Sequence, residues 1–214
     1  MRTSKSSFFD RIAWCFNAIA RITGSPRRYA EAIVSNANLR HLENKDKRVL
    51  DVGGGTGAIA KHILPYAKEI VVLDPSKEML ARIKNAEIKK VRGIVQDAKL
   101  KKGYFDLIYC ADSFHHFTNG YAKKDYKKSV SKAVRKMLFA LKKNGSLIII
   151  EFDTSRFLGR TIGFLENRLL KLGSSFYNPK SFSELWRRHN VYIKIKRLDN
   201  WCYLAKITKK PAGN

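Results

Sequence analysis

The sequence predicts an α/β fold, a doubly wound seven-stranded sheet that is mostly parallel and closes in an antiparallel hairpin. Three observations carry this. Five apolar runs, Arg48–Asp51, Glu69–Leu73, Val91–Gln96, Phe105–Cys110 and Leu147–Phe152, alternate with helical patterns, and such an order winds parallel strands through right-handed crossovers. A glycine-rich break, Gly53-Gly54-Gly55-Thr56-Gly57, follows the first run. Two last runs, Val191–Leu198 and Trp201–Ile207, flank Asp199-Asn200, the spacing of a hairpin with a two-residue turn.

Taken in order, Ser7 is placed to cap a helix in which Phe9, Ile12, Ala13, Phe16, Ile19 and Ala20 recur at helical spacing. Gly24-Ser25-Pro26 ends it, and Arg27–Leu42 forms a second helical pattern before the polar link Glu43–Lys47. After the glycines, Ala58–Leu64 reads as a helix that Pro65 stops. Glu69–Leu73 is a continuous apolar run of the kind buried in a parallel sheet, and Asp74 ends it. Pro75 suits a first helical position behind an Asp74 cap, with Met79, Leu80 and Ile83 on one face of a helix reaching about Asn85. The third run leads into Asp97-Ala98, and the fourth opens into Ala111-Asp112-Ser113-Phe114-His115-His116-Phe117. Lys124–Leu141 carries a stripe of Val130, Val134, Met137, Leu138 and Leu141, and Lys143-Asn144-Gly145 makes a helix exit. A helical insertion follows over Arg156–Leu172, and Asn178-Pro179 starts another helix in which Ser181 and Glu184 have the spacing of a capping box.

With 214 residues and 44% apolar content, the chain is long enough for one sizeable core and is not disordered wholesale. One domain is expected: an N-terminal helical cap over 1–47, a cofactor-binding core over 48–152, a helical insertion over 153–190 and the hairpin over 191–207. Cys15, Cys110 and Cys202 show no C-x-x-C spacing, which argues against a zinc site or a disulfide framework and suits a reducing cytoplasm. No metal is expected. Asp10, Arg11, Asn17 and Arg21 interrupt any signal-peptide core at the N-terminus, and no stretch reaches about 18 uninterrupted apolar residues. Forty-three Lys and Arg against 18 Asp and Glu give a net charge of +25. Such a field attracts phosphate-rich partners, an anionic membrane surface or RNA, although charges of this kind also occur simply as a solvated surface.

The glycines let a ligand approach main-chain N–H groups, so a nucleotide-like cofactor belongs at this turn. Gly53-x-Gly55-x-x-Ala58 also satisfies the dinucleotide fingerprint, so the glycines alone do not choose the cofactor. Asp51 stands where it would repel a pyrophosphate and attract a cation, which favours S-adenosylmethionine over NAD. Asp74, at the next strand end, is apt for two ribose hydroxyls, with a plain helix cap as the alternative. Asp97 stands where an acid can accept from an adenine amino group.

LDVGGGTG, VVLDPSKEML, the Gln96-Asp97-Ala98 step, FDLIYCADSFHHF and LKKNGSLIIIEFD, in that order, resemble the Rossmann-like class I S-adenosylmethionine-dependent methyltransferases over about residues 48–207. The resemblance implies that Asp51, Gly53, Gly55 and Gly57 surround the methionine part of the cofactor and that Asp74 holds the ribose. It implies further that Pro75, Asp97 and Ala98 flank the adenine, and that Cys110 and Ala111 offer backbone to the amino-acid end. Phe9-Asp10-Arg11-Ile12-Ala13 resembles the start of the ubiquinone/menaquinone C-methyltransferases in the small-molecule branch. Where those enzymes carry an Arg-Asn pair, this chain has His115-His116.

Methyl transfer from a sulfonium needs alignment and desolvation more than a metal or covalent nucleophile. A base helps when the acceptor must lose a proton, and His115, His116 and Asp112 are placed for that, the alternative being histidines that only pack. The expected function is methyl transfer to a small or lipidic acceptor, with an RNA or protein methyltransferase, or a non-catalytic cofactor-binding protein, as alternatives. The first helix has two readings, packing on the core or covering the substrate site as a lid, and in the lipidic case the Phe8–Ile22 helix covers the pocket beside an anionic membrane surface.

Overall fold

A computed structural model describes residues 25–39, 46–118, 121–164, 167–168 and 173–211. The amphipathic helix expected near the N-terminus, the link 43–45 and the last part of the helical insertion lie outside the described residues. The strands are β1 (Arg48–Val52), β2 (Glu69–Asp74), β3 (Ile88–Arg92), β4 (Phe105–Ala111), β5 (Leu141–Phe152), β6 (Val191–Arg197) and β7 (Cys202–Lys209). They form one sheet in the order β3-β2-β1-β4-β5-β7-β6. The first five pair in parallel, and β7 pairs antiparallel to both β5 and β6.

Alternation along each strand feeds two cores, because successive side chains leave opposite faces of a sheet. Leu50, Ile108, Leu147 and Ile149 face one side, where Val130, Val134 and Met137 of the helix Tyr126–Ala140 and Phe182 and Trp186 pack on them. Val49, Ile70, Tyr109, Ile148 and Ile150 face the other side, against Tyr29, Ile33 and Val34 of α1 (Ser25–Asn36). Burial from both sides is why the central strands read as unbroken apolar runs. The chain leaves β1 toward β2 and β3 and returns to β4 on the far side of β1, so the order in which strands are added reverses between the parallel neighbours β1 and β4. In such sheets ligands bind in the crevice beyond the strand ends at that switch point.

Several local expectations are corrected. The second helix, α1, opens at Ser25 instead of Arg27 and stops at Asn36. Pro65 lies inside a short 3-10 turn, Leu64–Tyr66, that follows the helix Ala60–Ile63. Asp74 is still strand, paired with Arg92, and the cap is Ser76, whose side chain accepts from Met79 N before the helix Lys77–Ala81. β3 lies earlier than Val91–Gln96, because only Ile88 of its residues is buried and no apolar run marks it. Val95 and Gln96 turn inward after the strand instead. Leu141 leaves its helix extended and pairs with Phe105, so Lys143-Asn144-Gly145 is an irregular start of β5 and not a helix exit. Asn178, not Ser181, caps the helix Pro179–Glu184, with Pro179 at its start as expected. The hairpin connection is wider than two residues, since β6 ends at Arg197 and β7 begins at Cys202. Asp199 shapes it by accepting from the amides of Trp201 and Cys202.

Candidate active site

The turn after β1 is built by backbone that only glycine adopts without strain. Gly53, Gly55 and Gly57 have φ of 72°, 54° and 67°. The turn is drawn against its neighbour by Gly53 N–H donating to the Leu73 carbonyl at 2.7 Å. A Cβ at Gly53 would collide with the Ser113 side chain, and one at Gly54 with the Asp51 carboxyl group. The main chain here is thus held bare on the side where β1 and β4 part.

Asp51 is 2% exposed and accepts from the Tyr109 hydroxyl at 2.8 Å, across the β1–β4 pairing. Burial pushes its carboxyl group up to about 7, the Tyr109 hydrogen bond acts against this, and the Asp74 charge adds to it. Asp74 accepts from Gly55 N at 2.9 Å and from Ser76 N at 2.8 Å, so it ties the glycine turn to the start of the next helix. A carboxylate has about four acceptor sites, so this tie is compatible with taking ribose hydroxyls as well. Pro75 is exposed beside it. Asp97 is about half exposed and accepts from Lys132 Nζ at 2.7 Å, while Ala98 packs on the core. Cys110 is fully buried, and burial holds its thiol well above its ordinary value despite its contact with Ser113 Oγ. Ala111 is half-buried at the end of β4.

Beyond β4 the chain passes through Asp112 with φ 50°, a left-handed conformation uncommon outside glycine. Burial pushes the Asp112 carboxyl group up to about 7 and the charge of Glu151 adds to this, while His115 and the Tyr29 hydroxyl, 3.5 Å away, act against it. The histidine pair is not a loose surface feature. His115 is 1% exposed, its Nδ1 lies 2.8 Å from Glu151 Oε1, and its backbone N–H donates to Glu151 Oε2 at 3.0 Å. His115 Nε2 meets His116 Nε2 at 3.0 Å, and His116 Nδ1 meets Ser174 Oγ at 3.1 Å. Phe176 stacks on the His115 ring at 4.4 Å, and Phe152 lies 5.8 Å from it. One assignment of hydrogens satisfies the whole chain when Glu151 is a carboxylate: Ser174 donates to His116, His116 donates to His115, and His115 donates to Glu151.

Sequence reading missed Glu151, Ser174 and Tyr29. Glu151 had a signal, a lone acid directly behind Ile148-Ile149-Ile150 in a strand that is otherwise buried. Tyr29 had none, since it reaches Asp112 from 83 residues away. Among the described residues no group of three or more His, Cys, Asp or Glu is placed to hold a metal.

A sulfonium cofactor fits this arrangement. Asp51 is a buried carboxyl group facing a bare backbone turn, and among the described residues no Lys or Arg offsets it. A ligand that brings its own positive charge and needs a close approach to main chain matches both features.

Comparisons agree. Residues 24–193 match a family model described as a methyltransferase domain. An uncharacterized methyltransferase of Bacillus subtilis, YcgJ, is 30% identical over 113 residues, which is 50% of this chain and 41% of that protein. The ubiquinone/menaquinone biosynthesis C-methyltransferase UbiE of Sinorhizobium fredii is 30% identical over 134 residues, 61% of this chain and 50% of that protein. The chain therefore spans half or less of these relatives' lengths. The solved complex of DhpI with SAH superposes with a TM-score of 0.69 at 16% identity, covering 97% of this chain and 96% of that one.

The sheet order, the glycine turn at the switch point and the strand-end acids are those of the class I methyltransferase fold. The chain belongs to the methyltransferase domain family, matched over most of its length.

Proposed function

We propose that the chain methylates a small or lipidic acceptor whose reacting atom gives up a proton. The observation that supports this is the hydrogen-bonded chain from Ser174 through His116 and His115 to Glu151, set among Phe152 and Phe176. Bound S-adenosylmethionine supplies an electrophilic methyl group. Asp51, Gly53, Gly55 and Gly57 hold its methionine part, Asp74 its ribose, Pro75, Asp97 and Ala98 its adenine, and Cys110 and Ala111 its amino-acid end.

The chain's own residues then deal with the proton. The acceptor's X–H bond breaks toward Ser174 Oγ, Ser174 passes its proton to His116 Nδ1, and His116 passes its Nε2 proton to His115 Nε2. The electron pair stays on X. The positive charge comes to rest on His115, against the carboxylate of Glu151, where a charge-assisted hydrogen bond stabilises it. His115 is thus a positioning residue and proton store. Asp112, whose carboxyl group burial pushes up to about 7, is in its ionised form the other group placed to take a proton from an acceptor. Aromatic walls around this relay suit an apolar molecule better than a solvated polymer. A cytoplasmic enzyme that meets its acceptor at an anionic membrane surface agrees with the basic composition and the absence of cysteine pairing motifs.

Incubation with methyl-labelled S-adenosylmethionine and a cell extract tests the reading. Label should move into the solvent-extractable small-molecule fraction. Label confined to acid-precipitable material would contradict it and support an RNA or protein acceptor, the reading that the +25 charge favours.

A further inference from the structure

The second face of the hairpin carries a feature that methyl transfer does not use. A groove of about 240 Å³ lies between the end of α1 and the outer strands, lined by Ser35, Asn36, Asn38, Lys194, Lys196 and Lys206 around the side chain of Leu204. Lys194 on β6 stands directly opposite Lys206 on β7, and Lys196 follows two residues on, on the same face. Directly opposed like charges on neighbouring strands destabilise a sheet. Lys206 is aimed by the Asn36 carbonyl, which accepts from its Nζ at 2.7 Å. Among the described residues neither Lys194 nor Lys196 is in an ion pair, and no carboxylate lines the groove. The Asn36 amide already donates to the Ala32 carbonyl at 2.6 Å, so what the groove chiefly offers is the positive charge and donors of its three ammonium groups.

We propose that this groove is a binding site for a phosphate-bearing anion, separate from the cofactor cleft. Phosphate oxygens are acceptors that several ammonium groups can share, and an anion between Lys194 and Lys206 relieves the repulsion that the pairing creates. The groove shares no residue with the strand-end site. Tyr29 on α1 reaches Asp112 at the strand ends, and Asn36 lies seven residues further along the same helix, about 10 Å away. The ligand is the phosphate headgroup of a lipid or a soluble phosphorylated compound, and both present the same chemistry to the groove.

Calorimetric titration of the full chain with inorganic pyrophosphate at low salt tests the site. Lys194→Ala/Lys196→Ala should weaken binding about tenfold or more, as expected for the loss of charge-assisted contacts. Both side chains are exposed, so the fold should survive, and an unchanged thermal unfolding curve checks this. Lys127→Ala/Lys128→Ala on the helix Tyr126–Ala140 removes the same charge elsewhere and should leave binding unchanged. Equal weakening by both pairs would reduce the effect to net charge and overturn the proposal, as would an absence of pyrophosphate binding. Vesicles separate the sources. Retention on phosphatidylglycerol but not phosphatidylcholine vesicles, competed by pyrophosphate and lost in Lys194→Ala/Lys196→Ala, assigns a headgroup. Pyrophosphate binding without vesicle retention assigns a soluble ligand.

Discussion

Asp51 keeps a carboxyl group in a place where water cannot solvate it, with one hydroxyl donor from Tyr109. Burial raises its folded-state value to about 7, so the folded chain holds a proton there that the unfolded chain has released. Stability from this group is present below the unfolded value of about 4 and is lost as pH rises through about 7. The melting temperature of the free protein, measured against Asp51→Asn, should therefore fall from about pH 4 to about pH 7 and change no further above that. Cofactor binding runs the other way, because a cationic ligand selects the ionised form. Affinity for S-adenosylmethionine should climb as pH rises toward about 7 and then level off, with Asp51→Asn flat over the same range. Asp74→Ala should weaken cofactor affinity by about 1.5–3 kcal/mol through lost charge-assisted hydrogen bonds. An unchanged Kd would leave Asp74 as a tie between Gly55 and Ser76 and nothing more. Glu151→Gln should slow methyl transfer to an acceptor that must lose a proton by about tenfold or more while leaving S-adenosylmethionine affinity unchanged, because the neutral amide no longer supports a positive charge on the His115 ring. An unchanged turnover would contradict the proton store. These acids were legible to different degrees for a physical reason. Strand-end position betrays Asp51 and Asp74 locally, whereas the meaning of Glu151 depends on His115, 36 residues away, and appears only when β4 and β5 lie side by side.

At the scale of elements, the differences between sequence and structure fall where one residue's role depends on its exact backbone conformation. Asn178 and Ser181 both read as helix-start residues, yet Asn178 adopts the extended cap conformation and its side chain accepts from Ser181 N at 2.9 Å. Asn178→Ala should cost about 1 kcal/mol in urea unfolding, and Ser181→Ala clearly less. Equal losses would mean that Ser181 shares the capping role. β3 was misplaced because an edge strand with one buried residue has no periodic signal to read. The central strands, buried on both faces, were placed to within a residue or two. Length did not help at the start of β5, where chain continuity hides a change from helix to strand at Leu141.

For the whole molecule, topology explains why the site could be located before any contact was known. A sheet whose strand order reverses between β1 and β4 leaves a crevice at their carboxyl ends, and the glycine turn, Asp51, Asp74 and the His115-His116 segment all belong to that end. The +25 charge was visible in composition, but its placement was not, because the lysine groove is assembled from α1, β6 and β7, distant in sequence. The central claim is that the buried acid beside the glycine turn makes this a site for a cationic sulfonium cofactor and not for a dinucleotide. Calorimetric titration of the same protein with S-adenosylmethionine and with NAD tests it most directly. S-adenosylmethionine should bind at one site per chain, and NAD, whose pyrophosphate can reach the lysine groove, should not displace it; saturable NAD binding that survives Lys194→Ala/Lys196→Ala, with no response to S-adenosylmethionine, would contradict this.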